Sequence, residues 1–122
     1  MKKEAVITAL SALAQETRLD IFRYLVEVGP KGVPAGKIGE RFELPSATLS
    51  FHLKILQQAN LLKRKRQSRL IIYSANFAVM NALLAYLTEN CCAGHPDACA
   101  VPVCEPERIS TAPSTASTTL SK

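Results

Sequence analysis

Four cysteines, Cys91, Cys92, Cys99 and Cys104, are the only thiols in the 122-residue chain, and all lie within "TENCCAGHPDACAVPVC". A thiolate is a nucleophile and a soft ligand, so such a cluster can form disulfides, hold a metal or sense a thiophilic agent. The steps between successive cysteines are 1, 7 and 5. That is a poor match to the closely paired cysteines of structural zinc sites, even with His95 as a further ligand. No apolar run approaches the ~18–20 residues of a membrane span. The opening "MKKEAVITALSALAQETRLD" carries Glu4 and Glu16 at amphipathic spacing, which does not suit a signal peptide. The thiols are therefore expected in a reducing cytoplasm, as ligands or redox centres rather than structural disulfides, and no membrane partner is expected.

The net charge of +5 is unevenly distributed. No acidic residue stands between Glu43 and Glu89, whereas Lys54, Lys63, Arg64, Lys65, Arg66 and Arg69 all fall in that interval. Most charge runs are simply solvated surface. A basic segment without a single carboxylate is better explained by a polyanion, and double-stranded DNA leads.

The elements that would position these groups follow from the apolar periodicity. Residues 3–14 predict a first helix with Val6, Leu10 and Leu13 on one face, and residues 16–28 a second with Leu19, Phe22, Leu25 and Val26 as its stripe. Gly29-Pro30 ends it, "KGVP" is a turn, and residues 34–42 form a short third helix. Residues 45–59 form a fourth, with Leu49, Leu53 and Leu56 inward and Ser46, Ser50, Lys54 and Gln57 outward. Small side chains near its start and a cation further on suit a helix that approaches base edges in a major groove. The period then changes. Residues 61–66 and 69–74 predict a hairpin carrying five cations near Gln67-Ser68, a wing suited to the phosphate backbone. Residues 77–90 predict a last helix, apolar nearly all round, which needs a second cover. The expected fold is mostly α with a β-hairpin wing, a winged helix-turn-helix, homodimeric through the first and last helices. The expected organisation is a DNA-binding and dimerisation domain at 1–90, a cysteine-rich segment at 91–104 and a disordered tail at 105–122. That last stretch has eight Ser/Thr and two Pro.

The stretches "ALAQETRLDIFRYLV", "ATLSFHLKILQQANLL" and "SRLIIYSAN" resemble the ArsR/SmtB family of bacterial metalloid- and metal-responsive repressors. The likeness covers about residues 3–92, and Ser50-X-His52-Leu53 followed by a wing is its most specific part. It implies a homodimeric repressor, released from operator DNA when a thiophilic inducer binds. There are departures. Many members carry Cys-X-Cys before the recognition helix, but "IGERFELP" has no cysteine. Helix 77–90 has Glu89 and no histidine, so a zinc site across the dimer helices is unsupported. Asn60 stands where the family often has glycine, and Pro45 and Ala47 occupy positions that are often polar. "YLTENCC" resembles the subgroup of arsenic repressors with thiols at the end of the last helix.

Trivalent arsenic binds three sulfurs in a pyramid. Cys91 and Cys92 supply two at one spot, and "AGHPDA" has the Gly and Pro to fold Cys99 back as the third. Cys104 is a substitute, a ligand from the other subunit, or idle. The leading reading is a repressor induced by arsenite, antimonite or a methylated trivalent arsenical, the last needing only two sulfurs. The alternatives are a zinc- or redox-responsive repressor on the same scaffold, or a thiol-based metalloid-binding protein whose basic helix is incidental. The DNA-contact candidates are Ser46, Thr48, Ser50, His52 and Lys54 on the fourth helix, and Lys63, Arg64, Lys65, Arg66 and Arg69 on the wing. For His52, a hydrogen bond to nearby backbone competes with a DNA contact. With two histidines and no paired carboxylates beside a nucleophile, an enzyme is not expected.

Overall fold

The computed structural model describes residues 1–94. The elements are α1 (Lys3–Leu13), α2 (Glu16–Val28), β1 (Val33–Pro34), α3 (Ala35–Phe42), α4 (Ser46–Gln58), β2 (Leu62–Gln67), β3 (Leu70–Ala75) and α5 (Phe77–Leu87), followed by a 3₁₀ turn at Cys91–Gly94. The chain divides into two units, Met1–Tyr86 and Leu87–Lys122. Cys99, Cys104 and the stretch 105–122 lie outside the described residues. Among the described residues, no helix is long and apolar enough to cross a membrane.

The first unit is the winged helix-turn-helix expected from the sequence. Its core joins Ile21 and Leu25 of α2, Ile38 of α3, Leu56 of α4 and Leu61, all fully buried. Leu49, Leu53 and Leu56 of α4 do turn inward. The first two helices differ from the expected stripes. On α1 the buried residues are Val6, Ala9 and Ala12, and Leu10 is exposed. On α2 they are Ile21, Phe22 and Leu25, and Leu19 is exposed. Small alanines let α1 lie close against its neighbours beside Val6, and Ile7 and Leu10 are left exposed.

Local chemistry sets the element ends. The Gln15 side chain accepts a hydrogen bond from the Arg18 backbone N–H at 2.9 Å and caps α2. Gly29, at φ 96°, closes it. α4 ends in a left-handed residue, Asn60 at φ 63°. The Leu61 N–H then bonds the Leu56 carbonyl at 3.0 Å, and the Asn60 N–H bonds the Gln57 carbonyl at 2.9 Å. This is the Schellman arrangement usually built on glycine, and Asn is the residue that best replaces glycine there.

"KGVP" holds more than the expected turn. Val33 and Pro34 form a two-residue strand on the free edge of β3, giving the order β1-β3-β2, with Val33 opposite Tyr73 and Pro34 opposite Ile72. A two-residue strand is too short to show a period in sequence. Gly32 enters it at φ 75°, where an added Cβ would lie 2.6 Å from the Tyr73 carbonyl oxygen. The hairpin turns on Ser68 and Arg69, with Gln67 opposite Leu70 and Ser68 at φ 59°. On α5 only Leu83 is buried, while Phe77, Val79, Met80, Leu84 and Tyr86 are half-buried.

Candidate nucleic-acid interface

α3 and α4 are joined through a tight turn. Glu43 takes φ 53°, and the Leu44 N–H bonds the Gly39 carbonyl at 3.0 Å. Pro45 then sits extended before α4, leaving the first turn of that helix at the surface. Ser46, Thr48, Ser50 and Lys54 are all exposed. Phe51 stands among them with 59% of its surface exposed, on the side opposite Leu49, Leu53 and Leu56. The outward face of α4 is therefore small, hydroxylated and cationic around one aromatic ring. The expected outward set omits Phe51, because a phenylalanine inside a leucine-rich helix reads as core.

His52 does not share that face. It is 8% exposed, and its Nδ1 lies 3.3 Å from Nη1 of Arg18. Its partner is a side chain of α2, not the nearby backbone the sequence suggested. Removal from water, then the adjacent guanidinium charge, lowers its pKa below the ordinary histidine value of 6.5. Arg18 also donates from Nε to the Ala12 carbonyl at 2.7 Å. Sequence reading gave Arg18 no role. Its only signal was its place inside "ALAQETRLDIFRYLV".

The wing is the expected hairpin, with its cations at the surface. Leu62 is buried, and Lys63, Arg64, Lys65, Arg66 and Gln67 are all exposed. Successive strand residues alternate faces, so Arg64 and Arg66 share one face and Lys63 and Lys65 the other. The residues opposite them, Tyr73, Ile71, Ser74 and Ile72, carry no acid to neutralise them. Arg69 is exposed at the turn, where Nε of Arg66 also donates to the Ser68 carbonyl at 3.4 Å. A ribbon cationic on both faces, beside an exposed small-residue helix, is suited to a nucleic-acid backbone.

Comparison with known proteins agrees with this geometry. Residues 13–65 match a helix-turn-helix domain family. The chain is 37% identical over 81 residues to the arsenical resistance operon repressor of Bacillus subtilis, covering 66% of this chain and 73% of that one. The chain belongs to the ArsR family of transcriptional repressors. An ArsR-like transcriptional regulator from Rhodococcus sp. RHA1 is 27% identical to this repressor with a TM-score of 0.60, over 69% of this chain and 76% of that one. An uncharacterised helix-turn-helix transcriptional regulator of Methanocaldococcus jannaschii is 34% identical over 76 residues. That match takes in 62% of this chain and only 19% of the archaeal protein's length. These relatives are transcriptional regulators.

In the second unit of the repressor, Cys91 is exposed and Cys92 half-buried. They open the 3₁₀ turn four residues beyond the end of α5, rather than closing that helix as the sequence suggested. The reason is backbone geometry. Asn90, Cys92 and Ala93 take φ 58°, 60° and 49°, which no right-handed helix accommodates. Among the described residues, no three of His, Cys, Asp and Glu gather as a metal-binding group. Cys99 and Cys104, which would complete the thiol set, lie outside them.

Proposed function

We propose that this chain is an arsenic-responsive repressor that grips operator DNA as a homodimer and releases it when trivalent arsenic binds its thiols. The observation that carries this reading is the adjacent pair Cys91 and Cys92, one exposed and one half-buried, just beyond α5 in the chain. Two soft sulfurs on neighbouring residues suit a thiophilic metalloid. The Bacillus subtilis relative, an arsenical resistance operon repressor, supports the same inducer class.

On this reading Ser46, Thr48, Ser50 and Lys54 face the major groove, and Lys63, Arg64, Lys65, Arg66 and Arg69 hold phosphates. His52, being buried, positions α4 instead of touching DNA. The dimer forms through α1 and α5. Ile7 and Leu10, three residues apart on α1, are 56% and 41% exposed, which is support for a covered face in the dimer. Cys91 and Cys92 bind arsenic with Cys99 as third sulfur. Arsenite, antimonite and methylated trivalent arsenicals are the inducer class, and the cytoplasm is where such a repressor works.

Arsenic binding draws in the segment after α5, and the two recognition helices no longer match both half-sites. Coupling is reciprocal, so DNA weakens arsenic binding by the same factor. A 100-fold loss of DNA affinity corresponds to about 2.7 kcal/mol. The test is a titration of arsenite, antimonite, methylarsenite, zinc and hydrogen peroxide against the intact protein on a duplex selected from a random-sequence pool. Release by the arsenicals at low concentration, with zinc and peroxide inert, is expected. Release by zinc or peroxide alone would assign a different inducer.

A further inference from the structure

We propose that Phe51 reads thymine: its ring packs on the C5-methyl group of a thymine in the major groove when α4 docks on DNA. The inference goes beyond the inducer and rests on the assignment of α4 to DNA. A single exposed apolar side chain is ordinary on a protein surface. The surroundings of Phe51 set it apart. Along α4, residues three and four apart are neighbours, which places Ala47 and Thr48 one turn before Phe51 and Lys54 one turn after. All three are exposed. Ala47 is small and Lys54 cationic, so a close approach by a polyanion is open at this spot. α4 itself carries no acidic residue.

Among the described residues, no core position is filled by this ring. Phe51 keeps 59% of its surface exposed, and its ring contact is edge-on to its neighbour His52, centroids 5.5 Å apart. Phenylalanine is also a weaker helix former than the alanine, leucine or lysine that the position would otherwise admit. In the major groove the apolar feature of a base edge is the thymine methyl, and apolar side chains recognise it. Ser46, Thr48 and Ser50 supply hydroxyls that bond several base edges with little discrimination. On this face Phe51 therefore supplies selectivity that the serines lack.

The test uses the intact protein and a half-site enriched from a random duplex pool. Each thymine is replaced in turn by deoxyuridine, which removes only the methyl group. At one thymine the parent protein is expected to lose about fourfold in affinity, the value of one buried methyl group. Phe51→Ala is expected to bind the thymine and uracil duplexes equally at that position, and Phe51→Leu to keep part of the preference. Indifference of the parent to uracil at every thymine would overturn the proposal. So would a Phe51→Ala protein that keeps the parent's preference, or one that changes the oligomeric state while leaving that preference intact. Failure of the parent to enrich any sequence is a separate result, and would overturn the placing of α4 on DNA itself.

Discussion

Arg18 and His52, 34 residues apart, meet across the helical core, with Nη1 of the arginine 3.3 Å from Nδ1 of the histidine. The same guanidinium donates from Nε to the Ala12 carbonyl at 2.7 Å. One side chain of α2 thus joins the last turn of α1 to the middle of α4. A guanidinium has donors and no acceptors, so Nδ1 of His52 must be the acceptor and must stay unprotonated.

The burial of His52, and secondarily its contact with Arg18, makes stability depend on pH. Burial, then the Arg18 charge, holds the pKa of folded His52 below 6.5, the ordinary value expected of the unfolded chain. Between those two values the unfolded chain binds the proton and the folded one does not. Stability present at neutral pH is therefore lost as pH falls through the unfolded value, and the loss levels off below the folded one. Urea unfolding at about pH 7.5 and about pH 5.5 should show a midpoint that drops with acid in the parent. The drop should be smaller in His52→Gln. Equal drops would exclude His52 as the group responsible.

Removing Arg18 leaves two partly buried acceptors without their donor. Arg18→Ala is expected to cost about 1–3 kcal/mol in denaturant unfolding, the usual range for a stranded polar group. Arg18→Lys should recover only part, because an ammonium lacks the fork that reaches both acceptors. Full stability in Arg18→Ala would show that the bridge contributes nothing.

On the wing, Arg64 and Arg66 share one face of β2, opposite Tyr73 and Ile71. If both hold phosphates, Arg64→Ala combined with Arg66→Ala should weaken binding on all sequences alike. The slope of log affinity against log salt should flatten by about 1.8, or about 0.9 for each lost contact. Titration at several salt concentrations reads this directly, and an unchanged slope would remove these residues from the phosphate set.

Gly32 is fixed by geometry rather than by DNA. At φ 75°, with the Tyr73 carbonyl oxygen 2.6 Å from an added Cβ, alanine cannot fit without moving β1 off β3. Gly32→Ala is expected to destabilise by about 2 kcal/mol or more, combining the left-handed penalty with overpacking. Thermal unfolding checks it, and a shift of less than a degree would mean that the edge pairing is dispensable.

Much of this architecture could be read from the chain alone, because the signals are local and strong. Gly29 and Asn60 mark the ends of α2 and α4, and the change of period after Leu61 marks the wing. Leu49, Leu53 and Leu56 share one face of α4 at helical spacing. What the sequence hid depends on partners far away in the chain. Leu10 and Leu19 belong to the expected stripes of their helices yet are exposed, while Ala9, Ala12 and Ile21 join Val6, Phe22 and Leu25 in the core. Which flank of a helix is covered is decided by how closely its neighbours approach, and small residues set that distance. His52 lies at the edge of the inward stripe, and only the position of Arg18 turns it into a core group. Phe51 was hidden for the opposite reason, since its type suggests burial while its place on α4 keeps it exposed.

The central claim is that Cys91 and Cys92 couple arsenic to DNA release, and one measurement addresses it most directly. The intact protein and a variant carrying Cys91→Ser and Cys92→Ser are each bound to the same selected duplex and titrated with arsenite while fluorescence anisotropy is followed. Release of the parent, with the double variant still bound at every arsenite concentration, is the predicted result. A double variant released by arsenite as readily as the parent would contradict it.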